Sequence, residues 1–267
     1  MSRPLLRLIC ALALAAGVLA TALPANASPA APTGRTAVLF VGGLGSTYTT
    51  SSQAFRTLQA ALIASRGYAE SDFSLFSYDQ QNATQYDPLL TCAPVAVSEA
   101  ALRARIADLQ AAGAGQVLLV GHSLGGVLAY DVAASATDGS ISGVVTVDSP
   151  LGGLSGWRAG LVRMAERSTG ATCPALDDLQ QRDASPTWQP WLTSSANALL
   201  NRSVDVVVVT NASDAIVPLS SQALPGAEVD HPLDLVTSGL NHASALTQPT
   251  AAAQIAAWMP RQSSGTG

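Results

Sequence analysis

The chain has 267 residues, of which 48% are hydrophobic and 12% are charged, and its formal net charge at pH 7 is −5. Every one of its 13 basic residues is an arginine, and they form no basic patch along the sequence. This length is enough for one sizeable hydrophobic core, and the charge argues against nucleic acid as a partner.

The N-terminus has the three parts of a secretory signal peptide. Arg3 and Arg7 supply the positive start, residues 8–20 form an unbroken apolar segment, and Ala25-Asn26-Ala27 fits the small-x-small cleavage pattern. A membrane-spanning helix needs roughly 20 apolar residues, so we expect cleavage and export rather than a stable membrane anchor. The predicted boundaries are a signal peptide at 1–27, a flexible arm at 28–35 and one folded domain at 36–261.

After the arm, apolar runs alternate with helix-like runs. Several apolar runs are rich in valine, which is typical of strands that are buried on both faces of a sheet. The sequence therefore predicts an α/β fold with a mostly parallel central sheet and helices on both faces. The predicted strands are 37–41, 73–78, 117–120, 141–147 and 204–210, and the predicted helices are 52–66, 95–112, the segment after Ser123, and 249–259.

Residues 150–203 interrupt this alternation with a Gly-Gly pair, tryptophans, a cysteine and short helix-like pieces. The insertion leaves the sheet at its carboxyl edge, where α/β sheets bind ligands, and we predict a cap or partial lid. A purely structural excursion is the alternative. Trp157, Trp188 and Trp191 either line a substrate pocket or form a small core of the insertion.

The most informative motif is Gly121-His122-Ser123-Leu124-Gly125, which lies between an apolar run and a helix-forming run. It matches G-x-S-x-G in the strand–turn–helix context that a nucleophile elbow requires. The tight turn leaves room only for small residues on either side of the serine, which accounts for the two glycines. Ser123 is therefore the predicted nucleophile of an acyl transfer, and the amide of Leu124, at a helix N-terminus, is a predicted oxyanion donor. An ordinary glycine turn before a helix is the alternative.

A serine nucleophile needs a base, and the chain has three histidines. The side chain of His122 should point away from the hydroxyl of Ser123, so we expect it to pack or to form a hydrogen bond. His242 lies in a loop just before the last helix, where enzymes with this elbow carry the base. His231 precedes a proline, which stiffens the backbone. We favour His242, with His231 as the alternative.

The acid that orients the base should follow a strand and precede the histidine in the chain. Asp214 comes directly after the apolar run 204–210, and it is the favoured acid. Its carboxylate would hold the tautomer of the histidine and stabilise the imidazolium. Asp148, at the end of the preceding strand, is the alternative; otherwise it caps the next turn.

A second oxyanion donor should come from the loop after the first strand. That loop is Val41-Gly42-Gly43-Leu44-Gly45-Ser46, and counting from the end of the strand assigns the amide of Leu44. A phosphate-binding loop is a weaker interpretation, because the chain has no G-x-x-x-x-G-K-[ST] motif and no lysine.

Two cysteines, Cys92 and Cys173, remain after the signal peptide. An even number in an exported protein suggests a disulfide, which would close a loop of about 80 residues. Two free buried thiols are the alternative. The sequence shows no Cys/His cluster with metal-ligand spacing, and we predict neither a metal nor a cofactor.

With these motifs the chain resembles the α/β-hydrolase superfamily and, within it, bacterial secreted lipases and esterases. The resemblance implies an α/β-hydrolase fold and cleavage of carboxylic esters through an acyl-enzyme formed by Ser123, His242 and Asp214. One departure is Gly42, where many relatives carry histidine. The segments that carry the resemblance are 40–46, 121–126, 147–153, 214–218 and 241–242.

The resemblance also implies an ester or lipid substrate. It further implies that the protein is a secreted monomer that acts on this substrate at a lipid–water interface. An extracellular acyltransferase would use the same triad with an alcohol in place of water. A non-catalytic binding protein on this scaffold would usually have lost one of the three residues, and none is missing. Competing alcohol acceptors and a fluorophosphonate probe would separate these alternatives.

Overall fold

The computed structural model describes residues 34–154, 172–224, 229–233 and 242–262, together with Gly156 and Gly160. The predicted signal peptide and residues 28–33 of the predicted arm lie outside this part of the chain. Within the described part, no helix is long and apolar enough to cross a membrane.

The centre of the domain is a six-stranded sheet in which all neighbouring strands are parallel. The spatial order of the strands is β2-β1-β3-β4-β5-β6. This confirms the predicted α/β fold with a mostly parallel sheet. The strands are β1 (Thr36–Val41), β2 (Phe73–Leu75), β3 (Gln116–His122), β4 (Ile141–Val147), β5 (Asp205–Asn211) and β6 (Asp230–Leu233).

Helices cover both faces of the sheet, and neighbouring side chains of β3 show why. Leu118 packs with the hydrophobic cluster of α1 and α8, whereas Leu119 packs with that of α2, α3 and α5, since successive side chains of a strand point to opposite faces. The described helices are α1 (Tyr48–Arg66), α2 (Val95–Ala111), α3 (Leu124–Ser135), α4 (Pro174–Ala184), α5 (Trp188–Asn201), α6 (Leu219–Gln222), α7 (Ser244–Thr247) and α8 (Pro249–Trp258), with 3₁₀ turns at Glu70–Asp72 and Pro88–Cys92.

The second predicted strand is shorter in the structure than in the sequence analysis. The amide of Phe76 still donates to Phe40 O at 2.8 Å. Directly afterwards, the hydroxyl of Ser77 lies within hydrogen-bond distance of the carbonyls of Asn82 (2.6 Å) and Gln85 (2.9 Å). These contacts turn the chain away from the sheet, so β2 ends at Leu75 rather than at residue 78.

The second half of the predicted cap 150–203 is part of the helical layer. In α5, Leu192, Ala196 and Leu199 lie on one face and are buried in the core, as expected for an amphipathic helix. The hydroxyl of Tyr130 in α3 donates to Leu192 O at 2.9 Å and fixes the two helices together. The middle of the insertion, at 155, 157–159 and 161–171, lies outside the described residues, and Trp157 lies there with it.

The two described tryptophans of the insertion pack on each other. Their rings stack with centroids 4.5 Å apart, and the edge of Tyr130 meets Trp191 at 6.2 Å. The indole of Trp188 donates to Leu151 O at 2.7 Å. Trp191 nevertheless remains 36% exposed, so the two rings form a partly exposed stack rather than a buried core.

A disulfide joins Cys92, in the second 3₁₀ turn, to Cys173, directly before α4. This is the pairing that the sequence predicts. The bond connects the loop after β2 to the long connection between β4 and β5.

Candidate active site

The turn between β3 and α3 places Ser123 in a strained backbone conformation, with φ 55° and ψ −127°. Non-glycine residues rarely adopt a positive φ, and such strain persists where the surrounding structure enforces it. A Cβ at Gly121 would collide with the backbone of Gly125, and a Cβ at Gly125 would collide with the carbonyl of Val41. The close approach of strand and helix thus requires both glycines, as the motif predicts.

His242 and Asp214 lie together at the carboxyl edge of the sheet. Asp214 follows β5, His242 precedes α7, and the distance from His242 Nδ1 to Asp214 Oδ2 is 2.6 Å. The other carboxyl oxygen of Asp214 accepts from the amides of Ile216 (2.7 Å) and Val217 (3.1 Å). Because an ionised carboxylate only accepts hydrogen bonds, Nδ1 of His242 carries the proton and Nε2 is left as an acceptor.

That acceptor nitrogen is buried, and it has no hydrogen-bond partner among the described residues. The structure also gives the hydroxyl of Ser123 no partner in the described part of the chain. Hydrogen bonds between catalytic groups are often long without substrate and tighten when it binds. The free acceptor on His242 is the feature that a general base needs.

His122 connects the elbow to the loop of His242. Its Nε2 lies 3.0 Å from His242 O, and because a carbonyl only accepts, Nε2 of His122 is the donor. The two imidazole rings lie 4.7 Å apart. Loss of hydration around the ring, reinforced by the neighbouring His242, lowers the pKa of His122 to about 3, so this donor is neutral at ordinary pH. A hydrogen-bonding role for His122 agrees with the sequence analysis.

The loop after β1 lies directly against the elbow. A Cβ on Gly43 would come within 2.8 Å of Ser123 Cβ, so only glycine fits there. Side chains hold the loop from outside: Tyr78 Oη donates to Gly42 O at 2.7 Å, and Gly45 N donates to Thr91 Oγ1 at 2.8 Å. Burial raises the pKa of Tyr78 well above its usual value, which keeps this donor protonated.

The amides of Leu44 and Leu124, the two predicted oxyanion donors, have no acceptor among the described residues. Neither amide is therefore committed to another group of the described chain. The supports of the loop, Tyr78 and Thr91, were missed by the sequence analysis, since no short motif links them to a loop more than thirty residues earlier.

Asp148, the alternative acid, also lies at this edge. It follows β4 with a φ of 48° and is fully buried, and neither of its carboxyl oxygens has a hydrogen-bond partner among the described residues. Burial and the charge of Asp214 hold the pKa of Asp148 well above its usual range, although the nearby side chain of Asn211 favours the charged form. We conclude that Asp148 is neutral while Asp214 pairs with His242.

His231, the alternative base, packs elsewhere. It lies on β6, and its ring stacks on Trp258 with centroids 4.7 Å apart. Loss of hydration lowers the pKa of His231. The histidine that the structure pairs with an acid is therefore His242.

One group of described side chains has the spacing of a metal site. His122, Asp148 and His242 each offer a ligand atom, and these atoms lie within 4.8 Å of one another. Two of the residues already use a ring nitrogen, His122 toward His242 O and His242 toward Asp214. A metal bound here would need shorter ligand distances and would compete with these hydrogen bonds.

A parallel sheet whose β3 ends in a strained serine turn, with a histidine–aspartate pair at the same edge, defines a protein of the α/β-hydrolase class. A family profile described as "Alpha/beta hydrolase family" matches residues 38–257, and the chain belongs to this family. A comparison with curated protein sequences gives no significant match.

Solved structures of similar fold include two from lipolytic enzymes. The mature lipase BlEst2 of Bacillus licheniformis aligns with a TM-score of 0.51 and 15% identity, over 85% of this chain and 91% of that chain. A structure from the metagenome-derived lipolytic enzymes LipS and LipT gives a TM-score of 0.52 and 17% identity, over 80% of this chain and 87% of that chain. At these identities the likeness establishes the fold alone.

Proposed function

We propose that the protein is an exported serine hydrolase that cleaves carboxylic esters through Ser123, His242 and Asp214. The observation that carries this proposal is the 2.6 Å hydrogen bond between His242 Nδ1 and Asp214, which leaves Nε2 of His242 as a buried acceptor. The strained turn of Ser123 and the unpaired amides of Leu44 and Leu124 add a nucleophile and two oxyanion donors.

The reaction follows from these groups. Nε2 of His242 takes the proton of Ser123 Oγ as the oxygen attacks the ester carbonyl, and Asp214 stabilises the imidazolium that forms. The amides of Leu44 and Leu124 stabilise the oxyanion. His242 then protonates the leaving alcohol, which departs and leaves an acyl-enzyme. Water, activated by His242, attacks the acyl-enzyme and releases the acid and the free serine.

The ester class is supported by the family and by the two structures of similar fold, whose proteins are named as lipolytic enzymes. Export is supported by the features of the N-terminal sequence. The disulfide supports it independently, because disulfides persist in oxidising compartments and are rare in the cytosol of mesophiles. A substrate at a lipid–water interface and a monomeric state are further parts of this proposal.

The test is hydrolysis of p-nitrophenyl esters with short and long acyl chains by the wild type and by Ser123→Ala. We expect kcat to fall by about 10⁴-fold or more, because triad members act as a unit. Ser65→Ala, an exposed serine of α1, is the matched control and should keep wild-type rates. Equal rates for Ser123→Ala and the wild type would exclude the proposed nucleophile.

Two further measurements address the alternatives. A fluorophosphonate probe should label the wild type and Ser65→Ala but not Ser123→Ala, and no labelling of the folded wild type would favour a non-catalytic binding protein. With competing alcohols present, release of free acid supports hydrolysis, whereas dominant ester products would identify an acyltransferase.

A further inference from the structure

We propose that Asp148 is a latent second acid of this site, which can orient His242 when Asp214 does not. This inference rests on the proposed function, since it concerns the carboxylate that holds the base. The proposal goes beyond a choice between two candidate acids. It assigns to each acid a state of the site in which its carboxylate pairs with His242.

The register of the sheet places the two acids side by side. Val147 of β4 pairs with Val209 of β5, and the amide of Asp148 donates to Val209 O at 3.2 Å. β5 ends at Asn211, and Asp214 follows within the next turn. Both carboxyl groups therefore approach the His242 loop from neighbouring strand ends.

The carboxyl group of Asp148 lies close to the same imidazole as that of Asp214. One of its carboxyl oxygens lies within 4.8 Å of a ring nitrogen of His242. A hydrogen bond needs about 2.9 Å, so an approach of about 2 Å is sufficient.

The carboxyl group of Asp148 is buried without the hydrogen bonds that usually accompany burial. A buried polar group normally has a hydrogen-bond partner, yet both oxygens of Asp148 lack one in the described part of the chain. The backbone of the residue is also held at a positive φ. The side chain of Asn211 favours the charged form of this carboxyl, but its burial remains costly, and a role toward His242 would account for it.

Burial, and after it the charge of Asp214, keeps the proton on Asp148. Two adjacent carboxylates cannot both be charged without penalty, so one keeps its proton. In the structure Asp214 accepts from His242, Ile216 and Val217, which leaves the proton on Asp148. The other groups near Asp148 are the side chain of Asn211 and the neutral imidazole of His122.

Replacing Asp214 by asparagine removes this repulsion and leaves Nδ1–H of His242 without a carboxylate. Asp148 can then accept from His242, and it ionises at a lower pH than in the wild type, although its burial is unchanged. We expect Asp214→Asn to lower kcat by about 10- to 100-fold, less than the 10⁴-fold that loss of the acid costs in a related triad. The double variant Asp214→Asn/Asp148→Asn should show the full loss.

The decisive readout is the interaction between the two substitutions, measured as kcat with a p-nitrophenyl ester. Asp148→Asn should cost much more in the Asp214→Asn background than in the wild type. The residual activity of Asp214→Asn should also rise with pH as Asp148 ionises, and this rise should be smaller in the double variant. Asp108→Asn, an exposed aspartate of α2, is the matched control in both backgrounds.

A purely structural role predicts the opposite pattern. If Asp148→Asn lowers kcat by the same factor in both backgrounds, or if the pH profile of Asp214→Asn is unchanged by it, the inference is wrong. Asp148→Ser provides a second replacement, and melting curves show that the compared variants are folded. If Ser123→Ala keeps wild-type activity, the proposed function fails instead, which separates the two outcomes.

Discussion

A single side chain outside the predicted catalytic residues connects the nucleophile turn to the base. His122 precedes Ser123 in the chain, and its Nε2 donates to the carbonyl of His242 at 3.0 Å. The hydrogen bond fixes the backbone of the base relative to the elbow, while Asp214 fixes its ring. Both restraints are needed, because a displacement of about 1 Å can cost 10²-fold in rate.

The first prediction concerns this restraint. His122→Leu keeps much of the bulk but removes the donor, and we expect kcat for ester hydrolysis to fall by about tenfold with a smaller change in KM. His122→Gln, whose amide can donate to the same carbonyl, should recover part of the loss. Since the pKa of His122 is about 3, the effect should be constant from pH 5 to pH 9.

His231→Leu is the control for this experiment, because His231 packs on Trp258 rather than on the site. It should keep the wild-type kcat. If His122→Leu also keeps it, the hydrogen bond to His242 has no role in catalysis.

At the scale of elements, a buried ion pair joins the helix that follows the nucleophile to the insertion. Arg182 of α4 lies 2.5 Å from the carboxylate of Asp131 in α3, and its guanidinium also lies 4.3 Å from the ring centre of Trp188. Burial raises the pKa of Asp131 to about 7, against the opposing effect of Arg182 and with a further increase from Glu99 of α2. The contact between α4 and α3 therefore contains a carboxyl group, that of Asp131, which ionises near neutral pH.

The second prediction is a pH-dependent contribution to stability. An unfolded aspartate has a pKa of about 3.9, so between roughly pH 4 and pH 7 the folded protein binds more protons at Asp131 than the unfolded chain does. The free energy of unfolding should therefore fall as pH rises through this window, by at most about 4 kcal/mol. Asp131→Asn should remove this part of the slope, so the stability of the variant should improve relative to that of the wild type as pH rises through the window.

The measurement is thermal unfolding of the wild type and Asp131→Asn between pH 4 and pH 8. Asp148 also makes the free energy of unfolding fall as pH rises, whereas His122 makes it rise. The test is therefore the difference in stability between the wild type and Asp131→Asn at each pH. Parallel curves for the two proteins would contradict the assignment to Asp131.

Most elements could be predicted because their residues signal them locally. The strand predicted at 141–147 matches β4, and the helix predicted at 95–112 matches α2 to within one residue. The four-residue strand β6 was not predicted, since Asp-His-Pro-Leu has neither valine richness nor alternation. It pairs in parallel with the edge of β5. Residue 112, beyond α2, caps the helix instead of continuing it.

The candidate active site could be predicted only in part. The elbow is contiguous in sequence, so its strained serine and its glycines could be read directly. The pairing of His242 with Asp214 agrees with the order of residues along the chain. The position of Asp148 beside the same histidine could not be predicted, because it depends on the register of β4 against β5. Sequence order treats the two acids as alternatives, whereas the fold places both at the base.

At the scale of the whole molecule, two long-range connections close the domain. The side chain of Gln262 pairs with both backbone groups of Thr36, at 2.9 and 2.8 Å, which fastens the end of the described chain to β1. The disulfide fastens the loop after β2 to the start of α4. Its neighbour Thr91 accepts from Gly45, so the same connection also reaches the loop of the oxyanion donors.

The last prediction follows from the length of chain that the disulfide closes. Cys92 and Cys173 are 81 residues apart, and closing such a loop restricts the unfolded chain far more than the folded one. Chain-entropy arithmetic gives a stabilisation of about 4.5 kcal/mol. The variant Cys92→Ser/Cys173→Ser should therefore unfold at a clearly lower urea concentration than the wild type. Reductant should shift the wild type toward the variant and leave the variant unchanged. Two thiols that react with an alkylating agent in the native, unreduced wild type would show that the bond does not form.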